Sequence, residues 1–286
     1  MSQPPDASAE PTCPRHPDRV SYVRCQRCER PACPECQRPA AVGVLCVDCL
    51  AEARSHVRPV RSRLGFTAAT GPPLVTYVLM GLNVAVFLLA PLLIGARWDY
   101  ALGLIPGYTA ELDLYCAAAA DPQCVGLGDD WYRWITAGFV HFGFFHIAMN
   151  MFALFQLGTA LEPAMGRLRF IGLYAASLIG SSVGVILLAD SGVHGGASGA
   201  IFGLLASYGI VLRRLRLPYQ SVLVIAAIFI GGPLIAEFVP ALAFFSGLSW
   251  QGHLGGAIVG AVVMLAMFRG VDSRERAQRA KNRPTG

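Results

Sequence analysis

The chain has 286 residues, of which 54% are hydrophobic and 14% are charged, with a net charge of +5. A soluble domain usually carries about 25% charged residues, so this composition argues against a soluble protein and predicts that most of the chain lies in lipid. The small net charge gives no indication of nucleic-acid binding.

The N-terminal residues 1–12 are rich in Pro, Ala and Glu and lack the basic region and apolar core of a signal peptide. We expect a short disordered tail there. A polar, Cys-rich segment follows at 13–53. A basic linker at 54–73, which contains Arg58, Arg61 and Arg63, leads to the apolar part of the chain.

Seven of the nine cysteines lie within the segment 13–53. With one histidine they form four pairs of equal spacing: Cys13 and His16, Cys25 and Cys28, Cys33 and Cys36, Cys46 and Cys49. Two intervening residues let one turn present both ligands to a tetrahedral Zn²⁺, and eight ligands make two closed, structural sites. Because about 40 residues are too few to fold on an apolar core alone, zinc would supply the folding free energy.

The order of these pairs resembles a B-box-like or RING-like cross-brace. In that arrangement the first and third pairs hold one ion and the second and fourth hold the other. Such modules usually bind partners, so a protein partner is expected, although no residue identifies it. The alternative is a disulfide-rich knot, which a reducing cytosol disfavours.

Six apolar segments follow the linker, and a membrane-spanning helix needs about 20 such residues. The predicted spans are 74–95, 144–161, 170–189, 198–212, 222–238 and 252–268. The fourth is too short to reach both membrane faces, so we expect one of its ends inside the bilayer. Irregular backbone at that depth must be buried in protein or line a wet cavity.

The charged residues predict the topology of these spans. The basic clusters are Arg167 and Arg169, then Arg213, Arg214 and Arg216, then Arg269, Arg274, Arg276 and Arg279. The other loops are acidic and contain Asp99, Glu111, Asp113, Asp121, Asp129, Asp130 and Asp190. The positive-inside rule then places both termini in the cytosol of a six-span plasma-membrane protein, with 269–286 as a basic cytosolic tail. Cys116 and Cys124 lie in an outer loop, either as a disulfide or as two free thiols.

Polar residues within the spans are costly in lipid and indicate function. His146 and Asn150 lie four residues apart, on one face at the start of the second span. Ser198 lies between glycines at the start of the fourth span, and His253 lies about one turn into the sixth. Because these three spans begin at the same membrane face, their polar residues can meet in one outward-facing cavity.

This set of residues fits nucleophilic catalysis. Imidazole can take the proton of a serine hydroxyl at neutral pH, and polar N–H groups can stabilise the oxyanion that forms. No Asp or Glu lies near the outer end of the sixth span, so we expect a Ser–His dyad without a catalytic cofactor. Taken singly, the serine could be helix packing, and either histidine a metal ligand or an interhelical hydrogen bond. Their matched depth favours an active site.

Small residues recur at every fourth position of two spans, a pattern that lets membrane helices approach closely. They are Gly199 and Gly203 in the fourth span, and Gly252, Gly256 and Gly260 in the sixth.

The motifs His146-x-x-x-Asn150, Gly196-Ala197-Ser198-Gly199 and Gly252-His253-x-Gly255-Gly256 together resemble the rhomboid protease family over about 74–268. The resemblance implies an all-α, six-helix membrane bundle, here with a small zinc-binding domain at its N-terminal side. It implies that Ser198 is the nucleophile, His253 the base, and His146 and Asn150 oxyanion donors.

Three further positions match the rhomboid pattern. Arg133, in Trp131-Tyr132-Arg133, matches an arginine of the first external loop, and Glu162 matches a structural acidic residue. Phe202 lies where the family has an aromatic residue that stacks on the catalytic histidine. The resemblance says nothing about the zinc-binding domain.

The expected function is therefore an intramembrane serine endopeptidase that cleaves single-span membrane proteins within or near their transmembrane segment. One alternative is a non-catalytic membrane adaptor that acts through its zinc module. Another is a small-solute transporter, which the clustering of polar residues toward one membrane face disfavours.

Overall fold

The computed structural model describes residues 10–55, 60–106, 131–190, 192–239, 241 and 247–281. The predictions for residues 1–9, Arg58, Cys116 and Cys124, and for the acidic residues between 111 and 130, lie outside this part of the chain. Residue contacts divide the chain into two units, Met1–Pro59 and Val60–Gly286.

The first unit is small and contains short elements. They are strands β1 (Thr12–Cys13), β2 (His16–Val20), β3 (Gln37–Pro39) and β4 (Val44–Cys46), a 3₁₀ turn (Pro34–Cys36) and helix α1 (Val47–Ser55). Strands β1 and β2 form one antiparallel pair and β3 and β4 another. The buried cluster of this unit consists of six cysteines and Ala32, so it has no ordinary apolar core.

The regular elements described in the second unit are all helical. Its helices are α2 (Leu74–Leu93), α3 (Trp98–Leu102), α4 (Arg133–Thr136), α5 (Phe144–Met165), α6 (Arg167–Leu188), α7 (Ser198–Arg214), α8 (Gln220–Ala226), α9 (Gly232–Ala236) and α10 (Trp250–Lys281). A 3₁₀ turn, Ala137–Phe139, follows α4, and a π-helical stretch, Ala227–Gly231, joins α8 to α9.

Among the described residues, four helices are long and apolar enough to cross a membrane: α2, α5, α6 and the Trp250–Arg274 part of α10. The predicted fourth span is α7, which has 17 residues and begins at Ser198. The predicted fifth span is the shorter apolar helical run Gln220–Ala236.

Several helix boundaries differ from the sequence prediction. Helix α6 begins at Arg167, three residues before the predicted span. Helix α10 continues to Lys281, although we predicted a separate tail from residue 269. Arg and Glu are good helix formers, and no proline interrupts this stretch, so the helix continues past its apolar part. Arg214 of α7 also donates to both carboxylate oxygens of Asp272.

Large apolar side chains lie on the outside of the second unit, Val60–Gly286, which we call the membrane unit. Leu92 is 80% exposed, Phe145 83% and Leu168 88%. An apolar outer surface of this kind is suited to lipid and would be unusual in a soluble monomer. The inner surface of the bundle buries α7, whose residues from Gly199 to Leu205 are all enclosed.

The second part of the predicted linker 54–73, which the structure describes from residue 60, packs against the helices. Leu64 and Phe66 are buried in the core of the bundle. The Phe66 ring stacks on Phe268 with centroids 5.3 Å apart, and the Arg169 guanidinium also lies over the Phe66 ring, 5.4 Å from its centroid. The sequence prediction rested on the arginines of this segment, whereas its two buried apolar side chains determine where it packs.

Close packing between the fourth and sixth predicted spans is confirmed. A Cβ atom on Gly256 would lie 2.0 Å from the backbone oxygen of Gly199, and one on Gly260 would lie 2.4 Å from that of Gly203. Only glycine allows α7 and α10 this separation, which brings the start of α7 beside the start of α10.

Candidate active site

Ser198 begins α7 directly after a tight turn. Gly196 in that turn has a φ of +128°, a conformation that L side chains rarely adopt. Its amide donates to the Ala137 carbonyl oxygen at 2.8 Å, which ties the turn to the segment before α5. The first N–H groups of a helix have no partner within the helix, so α7 presents backbone donors beside the Ser198 hydroxyl.

His253 lies within hydrogen-bonding distance of this serine. Its Nε2 is 3.0 Å from Ser198 Oγ, and its side chain is almost completely buried. Its Nδ1 is 2.8 Å from the Phe229 carbonyl oxygen. A carbonyl oxygen only accepts hydrogen bonds, so Nδ1 carries the proton, and Nε2 of the neutral ring can accept the serine proton.

Phe202 packs against the ring of His253. The two ring centroids are 4.3 Å apart and the planes differ by 14°, as expected for stacking. Phe202 follows Ser198 by four residues and therefore lies one turn further on the same face of α7. One helix face thus carries both the serine and the ring that holds the histidine in place.

His146 approaches the serine from α5. A Cβ placed on Gly196 would lie 2.9 Å from His146 Nε2 and 3.4 Å from Ser198 Oγ, so the two polar groups lie on either side of this glycine. The Phe142 amide donates to His146 Nδ1 at 3.4 Å. In that tautomer Nε2 carries the hydrogen and is the donor directed at the site.

Asn150 lies one turn further along α5. Its amide nitrogen donates one hydrogen to the His146 carbonyl oxygen at 2.8 Å. An amide nitrogen carries two hydrogens, so this bond orients the side chain and uses half of its donor capacity. The structure therefore brings Ser198, His253 and His146 together, with Asn150 behind His146.

Two histidines that the motifs did not include also lie near the site. His141 is fully buried and its ring centroid is 4.9 Å from that of His146. His194 Nδ1 is 2.9 Å from Ser249 Oγ, which links the turn before α7 to the residue before α10. Four of the five histidines that the structure describes thus gather here.

A cavity opens beside the serine and histidine. Its empty volume is ≈ 340 Å³, including space open to solvent. Ser198 and His253 line it together with Ser181, His194 and Ser249. A candidate nucleophile and a candidate base thus line one cavity among apolar helices.

Residues 128–270 match the Rhomboid domain family. The chain belongs to the rhomboid family.

Several rhomboid proteins share sequence with this chain. The Rhomboid protease GluP of Bacillus subtilis is 30% identical over 219 residues, which is 70% of this chain and 40% of GluP. Rhomboid protein 1, mitochondrial, of Saccharomyces cerevisiae is 28% identical over 229 residues, 75% of this chain and 59% of that protein. The rhomboid protein YdcA of Bacillus subtilis is 33% identical over 149 residues, 51% of this chain and 71% of YdcA. This chain therefore spans about half the length of the first two relatives.

Two rhomboid-pattern residues outside the cavity hold the helices together. Arg133 is buried and donates to the backbone oxygens of Tyr100 and Gly103. Glu162 is fully buried and accepts hydrogen bonds from the backbone amides of Val75 and Thr76, at 3.0 and 2.8 Å. It therefore caps the first turn of α2 from α5, which agrees with a structural role for this carboxylate.

The first unit gathers the eight predicted metal ligands into two clusters. One consists of Cys13, His16, Cys33 and Cys36, and the other of Cys25, Cys28, Cys46 and Cys49. The cross-brace order of the pairs is thus confirmed. All seven cysteines are free thiols, which disagrees with a disulfide knot.

The spacing of the ligand atoms suits a tetrahedral ion. The ligand atoms of each cluster lie within 4.8 Å of one another, and Cys28 Sγ is 3.8 Å from Cys46 Sγ. Four sulfurs at a Zn–S distance of about 2.3 Å would lie about 3.8 Å apart. A backbone hydrogen bond from Cys33 holds the pKa of the Cys13 thiol at about 6, so this ligand is a thiolate at neutral pH.

Proposed function

We propose that this rhomboid-family protein is an intramembrane serine endopeptidase that cleaves single-span membrane proteins within or near their transmembrane segment. The observation that carries the proposal is the 3.0 Å separation of Ser198 Oγ and His253 Nε2 inside a polar cavity of an apolar helical bundle. GluP is named a rhomboid protease, and a relative from Emericella nidulans, 31% identical over 156 residues, is named a rhomboid-type serine protease.

The proposed reaction begins with attack of Ser198 Oγ on the scissile carbonyl carbon while His253 Nε2 takes the hydroxyl proton. The negative oxygen of the tetrahedral intermediate accepts hydrogen bonds from His146 Nε2, the Asn150 amide and the Ser198 backbone amide. His253 then gives its proton to the leaving amine, and the C–N bond breaks. The acyl-enzyme remains.

Water completes the cycle. His253 Nε2 takes a proton from a water molecule in the cavity, and the resulting hydroxide attacks the acyl carbon. The second tetrahedral intermediate releases Ser198 Oγ, which recovers its proton from His253. These steps balance without a metal or organic cofactor.

The substrate class follows from where the site lies. The cavity is surrounded by helices with apolar outer surfaces, so a substrate reaches it from lipid or from the membrane surface. A peptide bond must be extended to reach Ser198, because a helical backbone shields its carbonyl carbons. A single-span protein whose helix unwinds locally meets both conditions.

The protein is an integral membrane protein. We infer that it lies in the plasma membrane, with six spans and both termini in the cytosol. Arg213 and Arg214 lie at the end of α7 opposite Ser198, and Arg167 lies at the end of α5 opposite His146. The positive-inside rule places these arginines in the cytosol and the serine toward the outer face.

The N-terminal module is proposed to hold two structural Zn²⁺ ions. Each cluster supplies four sulfur or nitrogen ligands, and this leaves no coordination position for a substrate. The ions would supply the folding free energy that the cysteine core does not. The folded module would then offer a surface that binds a protein partner.

A fluorophosphonate probe tests the catalytic proposal without knowledge of the substrate. We expect it to label the detergent-purified wild-type protein, and labelling to be lost in Ser198→Ala and His253→Ala. Ser221→Ala, which removes an exposed hydroxyl on α8, should be labelled like the wild type. Folded wild-type protein without labelling, or labelling that survives Ser198→Ala, would contradict the proposal.

A further inference from the structure

The base of the proposed dyad has a partner that is neither Asp nor Glu. His253 Nδ1 donates to the backbone carbonyl oxygen of Phe229 at 2.8 Å. We propose that Pro233 keeps this carbonyl available, so that the segment from Ala227 to Glu237 positions His253 for catalysis. This inference rests on the proposed protease activity and deepens it.

The availability of the carbonyl follows from helix chemistry. In an α-helix the carbonyl oxygen of residue 229 accepts a hydrogen bond from the N–H of residue 233. Residue 233 is a buried proline, which has no N–H. The α-helical donor to the Phe229 oxygen is therefore missing, and this oxygen accepts a hydrogen bond from His253 of another helix.

The backbone around Phe229 departs from α-helical geometry as well. Ala227–Gly231 is π-helical, and the Gly232 amide donates to the Ala227 oxygen five residues earlier. π-Helical turns inside α-helices are rare and frequent at functional sites. The wider turn and the proline together leave the Phe229 carbonyl directed at α10.

This carbonyl performs the two tasks that a carboxylate performs in a Ser–His–Asp triad. It fixes the tautomer, since Nδ1 must carry the hydrogen, and this leaves Nε2 with a lone pair toward Ser198. Its dipole also lies next to the ring that becomes positively charged when the serine proton is transferred. A neutral carbonyl can do this in an apolar site without the desolvation cost of a buried carboxylate.

A second contact fastens the same segment to α10. Trp250, which lies three residues before His253 in the chain, donates from Nε1 to Glu237 Oε1 at 2.6 Å. Glu237 is the acidic residue of this segment, and its carboxylate is engaged with the tryptophan rather than the histidine. The segment therefore meets the base-bearing helix through one polar contact at each end.

Apolar contacts also hold the segment in position, since Phe229 and Ile230 pack partly buried against the core of the bundle and the Phe229 ring lies 6.2 Å from the Phe202 ring. Other apolar side chains of the segment are exposed, such as Ile235 at 50%. Val222 and Pro233 are the buried residues of the described run from α8 to α9. The two polar contacts with α10 add to this packing and direct the carbonyl at His253.

The variant Pro233→Ala tests this role. An alanine supplies the missing N–H, which competes with His253 for the Phe229 oxygen. We expect the maximal rate of fluorophosphonate labelling of Ser198 to fall about tenfold or more, with unchanged reversible affinity for the probe. The melting temperature should not fall, because alanine is the better helix former.

Pro91→Ala is the matched control, since Pro91 also lies within a membrane helix but is in α2, which contributes no residue to the lining of the cavity. Its labelling rate should equal that of the wild type. Wild-type labelling of Pro233→Ala would overturn the inference, whereas an unlabelled wild type would overturn the proposed function instead.

Trp250→Phe provides a second test that needs no change in the helix backbone. It removes the hydrogen bond to Glu237 while keeping an aromatic ring. If Pro233→Ala does not fold, a slower maximal labelling rate in folded Trp250→Phe supports the inference. A labelling rate equal to that of the wild type overturns it.

Discussion

Gly196 sets the geometry of the proposed nucleophile at the scale of a single residue. Its φ of +128° turns the chain into α7, and its missing side chain leaves the space in which His146 Nε2 and Ser198 Oγ approach each other. Any Cβ there would meet the histidine ring at 2.9 Å. The residue therefore controls both the direction of the Ser198 side chain and its distance from His146, the proposed oxyanion donor.

Gly196→Ala should therefore lose fluorophosphonate labelling by a factor of about ten or more, while the bundle remains folded. Gly192→Ala is its control, because Gly192 has a φ of +93° but its nearest contact is His194 Nε2 at 3.9 Å. Both substitutions impose a similar backbone strain of about 1–2 kcal/mol. Equal labelling rates for the two variants would show that contact with His146 is not what matters.

The motif residues were predicted correctly as neighbours for two reasons. His146 and Asn150 lie one helix turn apart, and Ser198 and His253 lie near helix starts that the topology places at the same membrane face. Asn150 was expected to face the oxyanion, and its bond to the His146 carbonyl oxygen shows a second task. Nothing in the sequence indicates a backbone carbonyl as a partner, so the contact between Phe229 and His253 required the structure.

At the scale of helices, the glycine stripe decides how closely α7 and α10 pack. The backbones approach so closely that a methyl group on Gly256 would overlap the Gly199 carbonyl. Since Ser198 and His253 lie on these two helices, their 3.0 Å separation depends on this packing.

Gly256→Ala should lower the stability of the membrane unit by about 1–3 kcal/mol, the usual cost of overpacking. Gly270→Ala, in the same helix, meets no atom within 4 Å and should gain about 1 kcal/mol from the better helix propensity of alanine. Thermal unfolding in detergent measures both. A Gly256→Ala variant as stable as Gly270→Ala would contradict the packing argument.

Two features at this scale were not predictable from local pattern. Glu162 on α5 caps α2, and Phe66 in the predicted linker packs on Phe268 of α10. Both contacts join residues far apart in the chain, and neither has a characteristic spacing. The end of α10 was likewise not predicted. Good helix-forming residues continue this helix past the apolar residues that marked the predicted span.

At the scale of the whole molecule, two units with different sources of stability share one chain. The membrane unit has a large apolar core, whereas the first unit buries cysteines around two ligand clusters. We therefore expect the first unit to depend on metal for its folding in a way that the membrane unit does not.

Metal analysis of the purified full-length protein should give two zinc ions per chain. Because Cys13 and Cys33 belong to one cluster, the double variant Cys13→Ser/Cys33→Ser should retain one ion. Cys13→Ser/Cys25→Ser affects both clusters and should lose both. A protein that binds one ion or none in the wild type would contradict the two-site proposal.

The sequence by itself determined the membrane character, and it predicted the two-part organisation, the eight candidate metal ligands and the residues of the proposed Ser–His site. Each of these depends on composition or on short, regular spacing, which local geometry converts directly into a shared face or a shared turn. The tertiary structure alone decided the partner of His253 Nδ1, the tie between His194 and Ser249, and the buried position of the linker. These contacts arise when separate helices pack, and a backbone carbonyl freed by a distant proline leaves no motif of its own.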